Sequence, residues 1–355
     1  MSGRVEKLLS SLEPMGAGAM LLHSTENIRY FSGFTGEGYA VIAKDVRAIL
    51  TDSRYTEQAQ NQAPGFLVKE LPLDKFADAV RDTVREHGVT CVGFEDELLP
   101  VSQHSRFAET LCGITLVPVG SLCVKLRSVK DAAEIELLRK ACNITDKAYQ
   151  YALLIARPGI TEIELCTELK YYMAKVHKAL PSFDFIVAAG ENGSMPHAIP
   201  SDRVIKNGDM VTLDFGAQYM GYRADMTRTF AVGKPNARMK KIYDIVLRAQ
   251  TMAAETLGPG VACKTVDAVA RDYIAGKGFG PNFGHGLGHG VGLQVHELPG
   301  LNGRNELALA PGMAVTVEPG IYLPGVGGVR IEDTCVITEN GWESLFISDK
   351  NLIIL

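Results

Sequence analysis

Along the first part of the chain, short apolar runs alternate with stretches whose apolar positions recur every three or four residues. Residues 5–12 predict a short helix. AMLLH and the aromatic-flanked IRYFSGF predict strands around a turn, and YAVIAKDVRAILTDSRY predicts a hairpin leading into a helix over 55–62. FLVKE, DKFADAVRDTVREHG, VTCVGFE, the stretch 101–111 and ITLVPV then continue as strand, helix, strand, helix, strand. A boundary is expected near 121–128, dividing the chain into units 1–125 and 126–355. Just inside the second unit, Ser128 is a candidate N-cap for the amphipathic series Ile135, Leu138, Ile144, Ala148, Leu153, which breaks at Arg157-Pro158-Gly159.

The second unit carries an internal repeat. KACNITDKAYQYALLIARPGITEIELCTELKYYMA and KIYDIVLRAQTMAAETLGPGVACKTVDAVARDYIAGKG share one layout: long helix, Pro-Gly turn, Ile or Val, second helix with a late Tyr. Duplicated αα–ββ halves that face one another would enclose a site between two sheets. The expected fold is therefore an α/β unit followed by an α+β unit with a pseudo-twofold repeat.

Composition narrows the class. At 355 residues the chain exceeds what one hydrophobic core organises, and 46% hydrophobic with 22% charged residues is ordinary globular usage. A formal charge of −5 argues against a nucleic-acid partner. The seven cysteines are scattered without a CxxC pair, which points to buried thiols in a reducing, cytoplasmic setting. The opening MSGRVEKLLSSLEP does not read as a signal peptide, and no window is apolar enough to span a membrane.

The chemistry concentrates after residue 196. Asp214 sits in the apolar run MVTLDF and Asp225 in YRADMTRTF, about a turn near Tyr219 and Met220. A hairpin there would set the two carboxylates facing each other on one side of a sheet. His289, Glu318 and Glu332 lie in similarly apolar or Gly-rich surroundings. Buried carboxylates among Val, Leu, Phe and Met need a cation or a proton beside them. One imidazole and four carboxylates form an oxygen-rich set suited to hard or borderline divalent metals rather than a structural zinc. The glycines of GHGLGHGVGL match neither GxGxxG nor a P-loop, and are expected to let backbone pass close to the metals while His285 and His289 project inward.

The segments TLDFGA, GYRADMTRTF, GHGVGLQVHE, VTVEPGIY and GGVRIEDT resemble the two-metal pita-bread family that includes aminopeptidase P, the Xaa-Pro dipeptidases, methionine aminopeptidase and the metal-free creatinases. TDSRYTEQA and NIRYFSGF likewise resemble the family's ribonuclease-H-like, creatinase-type N-terminal domain, which would serve substrate access or the contacts of a homodimer. The resemblance implies that Asp225 and Glu332 bridge two ions, Asp214 holds one of them, and His289 with Glu318 the other. It further implies that Glu318 handles the proton of the attacking water, that His197 contacts the substrate beside the metals, and that His296 hydrogen-bonds its carbonyl or the tetrahedral intermediate. Arg330 would balance the carboxylates from behind. Manganese is the expected ion, with cobalt, zinc or iron able to use the same ligands. The expected substrates are peptides with proline in second position.

Within the family, His285, PHAIPSD and the sizeable N-terminal unit point to Xaa-Pro enzymes rather than methionine aminopeptidase. In HELPGLNGR, Gly300 stands where some dipeptidases place a carboxylate-clamping arginine, with Arg304 farther out. This favours aminopeptidase P, with Xaa-Pro dipeptidase (prolidase) as the alternative if the loop folds Arg304 back. A non-catalytic protein retaining the fold is a third reading.

Overall fold

The structure is a computed structural model and describes residues 2–355. The chain divides into two compact units at Arg127/Ser128. In the first, six strands form one mixed sheet in the order Leu67–Glu70, Arg47–Thr51, Tyr39–Ala43, Ala19–Leu22, Cys91–Phe94, Thr115–Pro118. The strands Ala19–Leu22 and Tyr39–Ala43 are buried at every position, as continuous apolar runs demand when helices cover both faces of a sheet.

Of the stretch IRYFSGF, expected as a strand, Ile28 to Ser32 instead form the last part of the helix Thr25–Ser32. Ser24 accepts a hydrogen bond from the Asn27 backbone, and Gly33 closes the helix at φ 87°, donating to Arg29. Caps at both ends prevail over the strand preference of Ile, Tyr and Phe, which depends on context. Ser128, expected as an N-cap, ends a short helix, Leu122–Ser128. Asp131 caps the long helix Ala132–Ile155, through a reciprocal pairing with Glu134 in which each side chain accepts from the other's backbone at 2.9 and 3.0 Å.

The second unit contains two helical hairpins, Ala132–Ile155 with Glu162–His177 and Ala237–Glu255 with Cys263–Gly276. Each turns at a Pro-Gly step whose glycine has positive φ, 99° at Gly159 and 83° at Gly260. Just after each turn the chain makes one antiparallel bridge, Thr161 to Val204 and Ala262 to Ala308. A three-stranded sheet follows the first hairpin (Met226–Val232, Asp209–Phe215, Ile186–Ala189) and a five-stranded sheet the second (Glu297–Leu301, Gly288–Gly290, Ala314–Val317, Asp333–Thr338, Gly341–Ser344). Ile242, Val246, Ala249 and Ala253, at helical spacing, pack against this second sheet in one core with Val315, Val317 and Cys335.

The duplication reaches the chemistry. Val211-Thr212-Leu213-Asp214 and Val315-Thr316-Val317-Glu318 both follow a glycine of positive φ, Gly208 at 95° and Gly312 at 88°. Asp214 and Glu318 thus occupy equivalent strand ends. Asp225 and Glu332 precede the equivalent return strands Met226–Val232 and Asp333–Thr338.

Candidate active site

The β-hairpin that carries Asp214 and Asp225 turns at Met220 and Gly221, with φ 46° and 83°, the two positive values that a tight two-residue loop requires. Its centre lies one residue later than the sequence suggests, so Asp214 pairs with Thr227 and not with Asp225. The two carboxylates do share a face, as diagonal neighbours instead of a facing pair. The glycine run lies along the site as expected, with His285, Gly286, Gly288 and His289 all on its wall, and it has a second role in packing. A Cβ on Gly288 would sit 2.0 Å from the Thr316 carbonyl, and one on Gly290 2.2 Å from that of Leu298. These glycines let the strand Gly288–Gly290 press against its neighbouring backbone.

Within the second unit a cavity of about 800 Å³ gathers Asp214, Asp225, Glu318, Glu332, His197, His285, His289, His296 and Arg330 on its walls. Neither Gly300 nor Arg304 lines it, and Arg304 is exposed. Asp225, His289 and Glu332 present ligand atoms that all lie within 4.8 Å of one another. Glu318 adjoins this trio, its Oε1 3.4 Å from His289 Nε2, the same distance that separates Nε2 from Asp225 Oδ2. Asp214 stands beside Arg330, with Oδ2 2.6 Å from the guanidinium.

Burial, then the neighbouring His296 ring, lowers His289 to about 4, so the ring is neutral. Its Nδ1 lies 3.1 Å from the Gly290 carbonyl, to which it donates, leaving the Nε2 lone pair aimed at carboxylate oxygens. Lone pairs facing lone pairs repel unless a cation lies between them. Asp214 Oδ1 and Glu332 Oε1 are buried and accept no hydrogen bond, which also fits metal coordination. Burial, followed by the neighbouring carboxylates, raises Asp225 and Glu332 well above the usual range. Glu318 is pushed up to about 8, chiefly by burial and then by Asp214, with Arg330 opposing. The donor set therefore fits a divalent cation, and Asp225, His289 and Glu332 are the residues placed to share one.

A polar chain holds this set from behind. Arg330 donates to Asp214 and, at 2.8 Å, to the Tyr322 hydroxyl, which lies 2.9 Å from His285 Nε2. His285 Nδ1 lies 2.8 Å from the Gly286 carbonyl; burial lowers this ring to about 4, so it accepts from Tyr322 and donates to the backbone. Thr227 donates to Glu332 Oε2 at 2.7 Å and receives Arg330 Nε at 3.1 Å. Sequence reasoning passed over Tyr322, Thr227 and Thr316, whose hydroxyl accepts from the His289 backbone at 3.0 Å and donates to Glu318 Oε1 at 3.4 Å. Strand parity could have found Thr316 and Tyr322, two before and four after Glu318. His197 and His296 are exposed at the cavity, and the His296 ring stands edge-on to His289 with centroids 4.4 Å apart.

Comparison with known proteins agrees with this geometry. Residues 136–339 match the model of metallopeptidase family M24, and residues 4–129 match the creatinase/prolidase N-terminal domain. A curated Xaa-Pro dipeptidase of Pyrococcus furiosus is 36% identical, covering 99% of this chain and 100% of its own. A solved structure described as Xaa-Pro dipeptidase from Bacillus anthracis superposes with TM-score 0.96 at 44% identity, covering 100% of this chain and 99% of its own. An X-Pro aminopeptidase structure from Thermotoga maritima gives TM-score 0.92 at 36% identity, covering 99% of each chain. With the ligand trio, the paired strand-end carboxylates and both family matches, this chain is a metal-dependent Xaa-Pro peptidase of metallopeptidase family M24, with the creatinase-type N-terminal domain and the pita-bread catalytic fold.

Proposed function

We propose that the protein is an Xaa-Pro dipeptidase that works with two divalent ions, manganese by the oxygen-rich donor set, held on Asp214, Asp225, His289, Glu318 and Glu332. The observation that carries the two-ion reading is the clustering of four carboxylates and a neutral imidazole, with Asp214 Oδ1 and Glu332 Oε1 buried and without partners. For dipeptide specificity the support is the 44% identity to the Bacillus anthracis structure described as an Xaa-Pro dipeptidase, against 36% to the X-Pro aminopeptidase. The sequence argument for an aminopeptidase rested on Gly300, and that residue lies off the cavity wall.

Bound ions would supply a Lewis acid and water activated near neutral pH. The chain's own groups then set its direction. Glu318, on the cavity wall beside His289, is suited to take a proton from water and return it to the departing proline nitrogen. His296 and His197, on the open side, offer donors to the scissile carbonyl as charge develops there. Arg330 fixes Asp214 and carries the positive charge that the carboxylates need behind them.

Kinetics on Ala-Pro, Ala-Pro-Ala and a longer Ala-Pro peptide, all with Mn²⁺, test the assignment. The dipeptide should give the highest kcat/KM. A clear preference for the tripeptide or longer chain would return the protein to the aminopeptidase reading.

A further inference from the structure

A dipeptidase must recognise the free carboxylate of its substrate, and Arg304, the arginine that the sequence offers for that task, does not supply it. Arg304 lies outside the cavity wall, and Arg330 is engaged by Asp214 and Tyr322. One other lysine or arginine lines the cavity, Lys170. We propose that Lys170 binds the C-terminal carboxylate of the dipeptide and so sets the length of substrate the enzyme accepts. This rests on the dipeptidase reading above.

The placement follows from helix geometry. Ile163, Cys166 and Lys170 fall on one face of the helix Glu162–His177, and all three line the cavity. From Ile163 to Lys170 the axis advances about 10 Å, so this stripe runs along the wall. Phe183, Phe185 and Ile186 line the cavity beside it, and the Lys170 ammonium stands 5.5 Å from the centre of the Phe185 ring. A proline ring ending in a carboxylate is met here by its complement, an apolar, aromatic surface next to a cation.

The present partner of Lys170 is weak. Asp184 Oδ1 is 3.9 Å away and its side chain is fully exposed, whereas 39% of the Lys170 side chain is exposed. Such a loose pair contributes little and is readily exchanged for a desolvated carboxylate arriving with the substrate. The other carboxylates of the cavity have Arg330 and the ion-holding geometry to answer to. Lys170 is thus a cation free to turn toward the ligand. A peptide continuing past proline would bring an amide in place of that charge, and the ammonium would gain nothing from it.

The test compares Ala-Pro with Ala-Pro-NH₂, which differ only in the terminal charge, on the metal-loaded wild type and on Lys170→Met and Lys170→Arg. Wild type should favour Ala-Pro. In K170M that preference should shrink roughly 10- to 100-fold, mainly through KM, and K170R should restore most of it. A K170M preference equal to wild type, or an equal loss on both substrates, overturns the role of Lys170 and leaves the dipeptidase assignment untouched. That assignment is judged separately, by wild-type rates on Ala-Pro and Ala-Pro-Ala. A wild type indifferent to the amide would overturn the carboxylate-recognition proposal as well.

Discussion

His296 illustrates how little a side chain's exposure says about its importance. It is exposed, yet its ring lies edge-on to His289 at the cavity wall, where it can address a substrate oxygen without itself being buried. Replacing it with Ala should reduce kcat by roughly 100-fold while the bound metal stays near the wild-type amount, because a donor to developing charge matters most in the transition state. Metal analysis beside steady-state kinetics checks this, and parallel loss of both would make His296 a structural support. The acids of the site were legible because a charged residue inside an apolar strand has no ordinary explanation. Lys170 was not: on an amphipathic helix a lysine every few residues is expected, and only the packing shows which one meets the cavity wall.

At the scale of elements, the segment from Ala189 to Ser201 brings Pro196, His197, Ala198, Ile199 and Pro200 to the cavity. Both of its ends are tied to one fully buried carboxylate. Glu162 accepts from Ala189 N at 2.7 Å, from Ser201 N at 3.1 Å and Ser201 Oγ at 2.7 Å, and from the Asn192 amide between them at 3.1 Å. Glu162→Gln turns one of these acceptors into a donor among donors, and should cost about 2 kcal/mol of stability. KM should rise further than metal content changes. Urea unfolding and kinetics together read this, and unchanged KM would separate the anchor from the binding wall. The same scale shows why IRYFSGF misled: apolar content alone resembles a strand, whereas the boundary residues Ser24 and Gly33 carry the helical information. It also shows why the hairpin was found but its register missed, since Gly221, one position after Met220, moves the turn centre and every pair behind it.

For the molecule as a whole, the repeat was readable from its Pro-Gly steps, although its extension to the strand-end acids was not, because Asp and Glu differ in length and the intervening loops differ too. Four carboxylates held close by both halves repel one another in metal-free protein, so ions binding only the folded state should stabilise it. Chelation should lower Tm, and Mn²⁺ at about 100 times its Kd should return roughly 3 kcal/mol per independent site. A melting curve indifferent to Mn²⁺, with metal absent by elemental analysis, would contradict the ion-holding role of the cluster. Asp214 and Asp225 come from one half, while Glu318 and Glu332 come from the other. A ribosome making this chain therefore releases no half-built peptidase: the donor set stays incomplete until Glu332 has emerged and the two halves have closed on each other.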